Sequence, residues 1–438
     1  MSAAAPHAPP GAALLDGVEL EGIRQDPVRF AASVFARHGD RVRYAYGGWR
    51  TVLSRHPADL EHVARTRPEN YVKAGTPDLM TLVPLLGDGL MTVDGQDWAH
   101  QRALLRPAFT RPALGDTVPR MDARVTRWLD RMAALAGTGQ VVDVAEDLRL
   151  LSYEIVADAL LGGELGERVE PFARHFAEMS GALSEYRPGD RETMGRYLRA
   201  QAAVDGYALE ILTSPARPDG LLARFRADRE AGRMTLRQVR DQMLTMLVGG
   251  AETTSQAIAW TLYLLDEHPE ALGPVAREAA ALGPPGAATA ADVDRLEATW
   301  RVMQEAMRLY PPVWLMSRIA RADDELGGVP VAAGELVVLS LYDAHRHPGF
   351  WPDPGRFDPG RFLPEAAASR SPLAYRPFSA GPRTCIGMGF ARLEGPLVLA
   401  RACQRLRLRR VPGHPVEPEG TVVTLRPRHG LHVTVQAG

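Results

Sequence analysis

Cysteine, lysine and long apolar runs are scarce in this chain of 438 residues. Two cysteines, Cys385 and Cys403, cannot build a disulfide framework, so a reducing cytoplasm fits better than secretion. No apolar run approaches the roughly 18 residues that a membrane-spanning helix requires. The N-terminus lacks the basic start and long apolar stretch of a signal peptide, and we expect residues 1–17 to form a flexible tail.

The chain also lacks an excess of positive or negative charge. Lysine occurs once, at Lys73, but arginine is abundant, and the 51 basic residues are balanced by 53 acidic ones. A nucleic-acid-binding chain of this size would usually carry a basic excess, so that function is disfavoured. Hydrophobic residues make up 45% of the chain, as in ordinary globular proteins. This composition excludes a disordered, collagen-like or coiled-coil chain, and the length allows a large core with an enclosed pocket.

Helical periodicity dominates the middle of the chain, from about residue 107 to residue 305. Apolar residues recur there at three- and four-residue spacing, as in 144–161. The longest such pattern begins at Thr235 and continues to about residue 266. It opens with a capping-box spelling, because Thr235 and Gln238 can satisfy each other's free backbone donors.

The last third of the chain has a different sequence pattern, with short β-type runs in place of long helical ones. After a predicted helix over 298–309, short β-type runs alternate with glycine turns and predict hairpins. Residues 393–408 again look helical, although Pro396 fits such a helix only near its first turn. A terminal hairpin is expected over 420–435. Because no repeat or linker divides the chain, we expect residues 18–438 to form one domain, mainly α with a small β portion.

The sharpest chemical feature is the segment Phe378-Ser-Ala-Gly381-Pro-Arg383-Thr-Cys385-Ile-Gly387. A thiolate is the metal-binding form of cysteine, and it needs donors or positive charge nearby. The glycines allow main-chain donors to approach the sulfur or a flat cofactor, and the N-terminus of the following helix favours an anion. Arg383 offers a planar fork suited to a carboxylate. A lone cysteine without such neighbours is more often a small buried hydrophobe.

This segment resembles the cysteine loop of the cytochrome P450 superfamily, Phe-x-x-Gly-x-Arg-x-Cys-x-Gly, at every fixed position. The resemblance implies a haem-thiolate monooxygenase with a long central helix over haem b (iron protoporphyrin IX). It also implies that Cys385 is the ligand of the haem iron. Phe378, Arg383 and Gly387 would then contact the haem. Cys403 has no comparable surroundings, and we predict that it packs in the core.

A charged pair, Glu305-Ala-Met-Arg308, lies near the end of the predicted helix over 298–309. On spacing alone, these i and i+3 charges would form an ordinary solvated pair. The P450 superfamily carries Glu-x-x-Arg at this place, paired with an arginine in a Pro-x-Arg-Phe segment, which matches Arg361 here. The resemblance therefore implies a buried Glu305–Arg308–Arg361 network that fixes the segment behind the cysteine loop.

Two glycines interrupt the middle of the longest predicted helix, in Gly249-Gly250-Ala-Glu252-Thr253. Each glycine costs about 1 kcal/mol relative to alanine in a helix. Such a helix either approaches a ligand closely or makes a tolerated Gly-Gly packing contact. The resemblance implies the first alternative: the helix opens at Gly250 beside the haem, Thr253 hydrogen-bonds dioxygen, and Glu252 relays protons.

Weaker matches concern the haem propionates. Trp98 and Arg102, four residues apart on a predicted early helix, resemble a family pair that binds a propionate, and Arg318 matches a further propionate-binding arginine. Without the resemblance, such a Trp/Arg pair is more often ordinary packing on a helix surface. The histidines that would be haem ligands only if the cysteine assignment failed are His100, His345 and His347.

Family matching also predicts a substrate pocket with a mostly apolar lining. Such a lining indicates a neutral, lipophilic small molecule. We predict a terpenoid ahead of a fatty acid or a polyketide. The predicted lining residues are Leu82, Met91, Met246, Leu247, Val313, Trp314, Leu315 and Thr424.

The resemblance implies a separate source of electrons. Because no flavin or iron–sulfur domain follows Gly438, we expect NAD(P)H to act indirectly, through a ferredoxin with its ferredoxin reductase or through a flavodoxin. Such a partner would dock on the cysteine side, where arginines attract an acidic surface. Dioxygen is the expected co-substrate. We expect a cytoplasmic enzyme that binds neither nucleic acid nor a membrane.

Two alternative functions share the cysteine loop. A haem-thiolate peroxygenase would use peroxide without a partner, but such enzymes typically replace the acid–alcohol pair that Glu252 and Thr253 form here. A non-catalytic haem-binding sensor or carrier would need only the loop and would leave that pair unexplained. Turnover with peroxide alone would favour the first alternative, and absence of turnover despite supplied electrons would favour the second.

Overall fold

A computed structural model of the chain describes residues 13–15, 20–163, 166–187 and 189–437. Its α-helices are α1 (Gly22–Gln25), α2 (Pro27–His38), α3 (Pro57–Glu61), α4 (Pro77–Leu86), α5 (Gly95–Leu105), α6 (Arg111–Gly115), α7 (Val118–Ala133), α8 (Val144–Ile155), α9 (Val169–Glu185), α10 (Arg191–Thr213), α11 (Leu221–Glu230), α12 (Leu236–Glu267), α13 (Leu272–Ala280), α14 (Ala290–Asp294), α15 (Glu297–Leu309), α16 (Leu341–Ala344), α17 (Pro364–Ser369) and α18 (Met388–Arg405). Its strands are β1 (Ala13–Leu14), β2 (Arg41–Tyr46), β3 (Trp49–Ser54), β4 (Tyr71–Val72), β5 (Val141–Asp143), β6 (Leu315–Ala320), β7 (Asp324–Leu326), β8 (Val329–Val331), β9 (Leu336–Ser340), β10 (Leu406–Arg410), β11 (Pro418–Gly420), β12 (Leu425–Pro427) and β13 (His432–Ala437).

The long helix α12 begins and ends where its sequence predicts. The Thr235 hydroxyl accepts from the backbone N–H of Gln238, and the Gln238 side chain accepts from the backbone N–H of Thr235. This capping box confirms the predicted start. The helix ends at Glu267, since Pro269 cannot supply a further backbone donor. α12 packs against α8, α15 and α18, which places it at the centre of the fold.

The main core forms where α12 meets the surrounding helices. Large side chains with almost no exposed surface come together there, among them Trp128 from α7, Tyr153 from α8 and Phe172 from α9. Burial of an apolar side chain contributes about 1.5–3 kcal/mol, so this core stabilises the helical part of the molecule. The predicted mainly α-helical class is confirmed.

A six-stranded sheet forms the β portion, with the strand order β1-β2-β3-β9-β6-β4. Strands β2 and β3 form a hairpin that turns at Gly47 and Gly48, whose φ angles of 58° and 87° suit a two-residue hairpin turn. Strands β7 and β8 form a second hairpin, and β6 pairs antiparallel with β9. Of the hairpins expected before residue 341, the β7–β8 hairpin is present, whereas β9 pairs with β3 and β6 and not with β8.

Two predictions for the C-terminal region were wrong. Helix α18 begins at Met388, so Pro396 lies in its interior, and the chain from Leu406 onward forms β10. Proline removes one backbone donor, but both Gly395 and Pro396 are buried, and packing of this helix outweighs that loss. The predicted hairpin over 420–435 is divided: β12 pairs with β11, whereas β13 pairs with β10 and β5. Alternation of apolar residues identified the strands but not their distant partners.

Part of the predicted N-terminal tail is structured. Strand β1 pairs in parallel with β2, and Leu15 is buried beside Phe30 and Val34. Residues 1–12 and 16–17 lie outside the described residues. The assignment of residues 18–438 to one domain stays a prediction. Within the described ranges, no helix is both long enough and apolar enough to cross a bilayer.

Candidate functional site

The loop before α18 is closed by its own backbone. The N–H of Cys385 donates to the carbonyl of Phe378 at 3.0 Å. Gly381 adopts a φ of 65°, and a Cβ at this position would collide with the carbonyl oxygen of Ala64. Only glycine satisfies both conditions, which explains why the loop carries one there.

The sulfur of Cys385 faces an accessible space although protein atoms surround it. The residue is exposed, and yet desolvation raises the pKa of its thiol, while backbone donors at Gly387 and Met388 and the charge of Arg102 act in the opposite direction. The thiol is therefore reachable in the folded chain and is at the same time desolvated by neighbouring protein atoms. Such a thiol suits metal ligation, because a bound cation would deprotonate it.

Four cations lie close to this space and to one another: Lys73, Arg102, Arg318 and Arg383. Arg318 is buried on β6, and it forms no ion pair with any residue that the structure describes. Burial lowers the pKa of Arg318, and burial together with neighbouring arginines lowers the pKa of Lys73 to about 7. The charges of Asp78 and Asp94 act in the opposite direction on both pKa values, but burial outweighs them. A bound anion would therefore offset the cost of burying these cations.

A flat iron cofactor with two carboxylates fits this arrangement. Haem b offers an iron for the Cys385 sulfur and two propionates for the cations. Lys73, whose Nζ donates to the Met91 carbonyl at 2.5 Å, belongs to the cation cluster and was missed by the sequence analysis. Its being the single lysine of the chain was a signal that could have drawn attention to it.

Trp98 and Arg102 lie on α5 beside the cysteine loop. The Arg102 guanidinium is 6.0 Å from the centre of the Trp98 ring, and the Arg383 guanidinium is 4.3 Å from it. Arg383 also donates to the Val93 carbonyl at 2.9 Å and pairs with Asp94. The structure thus brings the predicted haem contacts Trp98, Arg102 and Arg383 together. The Arg383 guanidinium, however, already pairs with Asp94, whereas we expected it to bind a haem carboxylate.

The two central glycines of α12 have different neighbours. A Cβ on Gly249 would lie 3.0 Å from the Met91 Cε, and a Cβ on Gly250 would lie 2.9 Å from the Val156 Cγ2. Val156 begins a π-helical turn, 156–161, that extends α8. Gly250 therefore allows α12 to approach that turn, which departs from the prediction that it faces the haem. Successive residues of a helix point about 100° apart, and Gly249 faces Met91 instead.

Glu252 and Thr253 point to different partners. The Thr253 hydroxyl donates to the Gly249 carbonyl at 2.8 Å. The Glu252 carboxylate accepts from the Tyr153 hydroxyl at 2.8 Å and lies 3.3 Å from the Arg149 guanidinium, both on α8. Arg149 and Tyr153 were not predicted, because no sequence motif marks residues that approach a site from a neighbouring helix.

The predicted charge network at the end of α15 is assembled and buried. Arg308 donates to both carboxylate oxygens of Glu305, at 2.7 and 2.8 Å, and neither side chain is exposed. Arg361 Nε lies 3.4 Å from the same carboxylate, and the Asp358 N–H donates to it at 2.8 Å. These contacts hold the irregular segment before the cysteine loop against α15.

The predicted pocket residues differ in their exposure. Leu247 has no exposed surface and packs in the core instead of lining an open pocket. Leu82 and Met246 are nearly buried, Met91 and Val313 are half-buried, and Thr424 is buried in the β11–β12 connection, where its N–H donates to the Thr421 hydroxyl.

Trp314 and Leu315 line a cavity of about 550 Å³ between α2, α4 and the six-stranded sheet. Phe30, Tyr44 and Trp49 contribute aromatic walls to it. Among the described residues that line this cavity, Asp78 is the only charged one, and Asp78 accepts a hydrogen bond from Ser317. Burial raises the pKa of Tyr44 to about 12, so that its phenol stays neutral. The described lining of this cavity is therefore mainly apolar and contains no cation.

Three residues with metal-binding side chains, Asp40, His56 and His347, also come close together. Both histidines accept a backbone N–H at Nδ1, from Ala58 and Gly349 respectively. A neutral imidazole carries one N–H, so each must hold its proton on Nε2. His347 Nε2 lies 3.0 Å from an Asp40 carboxylate oxygen. These tautomers are wrong for metal ligation, and the cluster is a hydrogen-bonded one.

A groove of about 570 Å³ lies on the outer side of the cysteine loop. Arg65, Arg376 and Arg392 line it together with Phe378 and Met388. Met388 is one of the few large apolar side chains that are exposed in the described part of the chain. The lining combines positive charge with apolar side chains, a composition suited to binding an acidic protein surface.

An accessible cysteine sulfur with backbone donors, facing buried cations beside a long helix, defines a haem-thiolate site. The comparisons with known proteins agree with this class. The family model described as Cytochrome P450 matches residues 6–198 and 209–433. The chain therefore belongs to the cytochrome P450 family, and it is a monooxygenase with haem b as cofactor, dioxygen as co-substrate and indirect electron supply from NAD(P)H.

Curated relatives cover almost the whole chain. It is 32% identical to cyclooctatin synthase of Streptomyces melanosporofaciens over 430 residues, 93% of this chain and 91% of the relative. It is 29% identical to pentalenene oxygenase of Streptomyces avermitilis, over 96% of this chain and 95% of the relative. Among solved structures, the haem domain of a cytochrome P450DA mutant superposes with a TM-score of 0.84 at 25% identity, over 95% of this chain and 93% of that one.

Proposed function

We propose that this cytochrome P450 hydroxylates a neutral terpenoid. The observation that carries the choice is the cavity between α2, α4 and the sheet, whose described lining is apolar and aromatic and contains a single charge, that of Asp78. A fatty acid would bring its carboxylate toward the Asp78 carboxylate, and no described lining residue is a cation that could receive it. A neutral terpenoid would meet no such repulsion. The names of relatives such as cyclooctat-9-en-7-ol 5-monooxygenase and pentalenene oxygenase support the same substrate class.

The site residues take the following roles in this proposal. Cys385 holds the haem iron, and Trp98, Arg102 and Arg318 hold the propionates with the help of Lys73. When bound, haem b supplies the redox chemistry that inserts one atom of dioxygen into a C–H bond. Thr253 and Glu252 hold and deliver the protons that this reaction consumes, at the hydroxyl and at the carboxylate. Glu305, Arg308 and Arg361 act structurally, by fixing the segment behind Cys385.

A ferredoxin or flavodoxin would deliver electrons at the groove lined by Arg65, Arg376 and Arg392. These three arginines would attract an acidic partner, and the exposed Met388 offers an apolar contact in the same groove. Because salt screens such attraction, electron transfer should slow as ionic strength rises. We place the enzyme in the cytoplasm, where its unpaired cysteines would stay reduced.

The substrate proposal is tested with the purified haem-loaded enzyme. Terpenes, fatty acids and polyketides of similar size are added, and the haem absorbance is followed for the shift to shorter wavelength that a ligand in the site produces. We expect neutral terpenes to produce the shift and fatty acids to fail. In the variant Asp78→Asn, fatty acids should gain affinity while neutral terpenes bind as before. A shift with fatty acids alone in the unchanged enzyme would overturn the proposal.

A second experiment separates the monooxygenase from a peroxygenase. Product should form with NADPH, ferredoxin and ferredoxin reductase, or with a flavodoxin system, and should depend on dioxygen. Product from peroxide alone, with none from the electron-transfer system, would contradict the proposed source of electrons.

A further inference from the structure

The carboxylate of Glu252 is engaged on the side of α12 that faces α8. It accepts from the Tyr153 hydroxyl at 2.8 Å and lies 3.3 Å from Arg149. Thr253, the next residue, points elsewhere and donates to the Gly249 carbonyl. The side of α12 on which the Thr253 hydroxyl lies is called the Thr253 side. A proton carried by Glu252 can reach it only if the carboxylate leaves Arg149 and Tyr153.

Arg149 has a second carboxylate partner, Glu146, one turn earlier on α8. Arg149 Nε donates to one oxygen of Glu146 at 2.8 Å, and Nη2 donates to the other at 2.6 Å. These bonds are shorter than the 3.3 Å contact with Glu252, and they use both carboxylate oxygens. Arg149 would therefore keep an anionic partner if Glu252 turned away, and no buried cation would be left unpaired.

Exposure increases along this chain of charges toward the surface. The Tyr153 side chain is fully buried, Arg149 and Glu252 are 12% and 13% exposed, and Glu146 is 47% exposed. Burial acts to lower the pKa of Arg149, but its hydrogen bonds to Glu146 and the charge of Glu252 outweigh burial and raise that pKa. The guanidinium therefore keeps its proton, and Arg149 is a fixed cation rather than a proton carrier. The mobile proton belongs to a carboxylate.

We propose that Glu146 is a positioning residue for proton delivery: by holding Arg149 with two short bonds, it lets Glu252 leave Arg149, carry a proton from solvent to the Thr253 side, and return ionised. This inference rests on the proposed proton-carrying role of Glu252. The proton enters on the Glu252 carboxylate at the seam between α8 and α12 and leaves it at the Thr253 side, so that Glu252 is regenerated in each cycle.

The proposal is tested by Glu146→Gln in the haem-loaded enzyme. Of the two carboxylates that the described residues offer to Arg149, only Glu252 would then remain. The Arg149–Glu252 ion pair would therefore become stronger. We expect product formation to slow about fivefold, hydrogen peroxide released per NADPH to rise, and the solvent isotope effect in D₂O to increase. Glu154→Gln removes the same charge from the same helix at a residue that is no hydrogen-bond or ion-pair partner of Arg149, and it should change none of these.

A second readout does not depend on activity. In a double-mutant cycle of Arg149→Met and Glu252→Gln, the coupling between the two residues is measured from unfolding equilibria in urea. We expect this coupling, expressed as a ratio of unfolding constants, to increase about five- to tenfold when Glu146→Gln is added. An unchanged coupling together with an unchanged isotope effect would overturn the role of Glu146.

The failure of the underlying function is distinguishable from the failure of this inference. If Glu252→Gln slows product formation and enlarges the isotope effect while Glu146→Gln does not, Glu252 carries protons without help from Glu146. If Glu252→Gln leaves both quantities unchanged, the proton-carrying role itself is wrong. Slower turnover in Glu146→Gln with an unaltered isotope effect would indicate a merely structural role for Glu146 and would also contradict the proposal.

Discussion

Replacing Arg308 by methionine should destabilise the enzyme more than any surface change on the same helix. Arg308 and Glu305 are both fully buried, so the substitution leaves a carboxylate without its main partner. Removal of one member of a buried ion pair costs about 3–5 kcal/mol. Arg308 also donates to three backbone carbonyls, those of His345, Pro354 and Arg356, at 2.7–3.1 Å.

The magnitude follows from these contacts. Each carbonyl that loses its donor in a buried place adds about 1 kcal/mol or more, although such terms are not additive. We expect a total loss of about 5 kcal/mol, which is comparable with the whole stability of many proteins, about 5–15 kcal/mol. The matched control is Arg301→Met on the same helix. Arg301 lies 3.6 Å from Glu297, whose side chain is 73% exposed, and this pair should contribute less than about 1 kcal/mol.

The assay is urea unfolding of the haem-loaded protein, followed by tryptophan fluorescence and by circular dichroism. A third variant, Glu305→Leu combined with Arg308→Met, removes both charges and should recover part of the lost stability, since it leaves no unpaired carboxylate. Arg308→Met with the same unfolding free energy as Arg301→Met would refute the reasoning. The reasoning would also be refuted if the double variant were about 3–5 kcal/mol less stable than Arg308→Met, which is the cost of a second unpaired buried charge.

Three further predictions concern the sulfur, a buried acid and a buried cation. Cys385→Ser should abolish the red-shifted Soret band of the reduced enzyme with carbon monoxide, whereas Cys403→Ser should keep it, because burial raises the pKa of Cys403 to about 11 and leaves it an inert thiol. Burial raises the pKa of Glu394 from 4.5 to about 8, so the folded state keeps a proton that the unfolded chain loses. Stability measured in urea should therefore fall as pH rises from 5 to 8, and Glu394→Gln should make this fall smaller. Arg318→Leu should speed the transfer of haem to a scavenger protein about tenfold or more, and an unchanged rate, or an equal effect of the exposed control Arg321→Leu, would contradict its assignment to a propionate.

Local features of the chain were predictable because they depend on neighbours in sequence. The capping box of Thr235 and Gln238 satisfies donors within one helical turn, and it fixed the start of α12. The pairing of Glu305 with Arg308 needs only i, i+3 spacing, and family resemblance added Arg361. The helix after Cys385 and the β7–β8 hairpin are likewise set by short-range patterns.

Other features depend on which elements meet, and only the tertiary structure decided them. Arg149 and Tyr153 reach Glu252 from a different helix, Asp94 takes the fork of Arg383, and β13 pairs with strands far away in sequence. Burial gives these contacts their strength, because a desolvated charge is costly when it is unpaired. A buried charge therefore requires its particular partner. The residue types and motifs of the chain determined which chemistry it can perform. Packing of the helices around α12 determined the direction in which each charged group points.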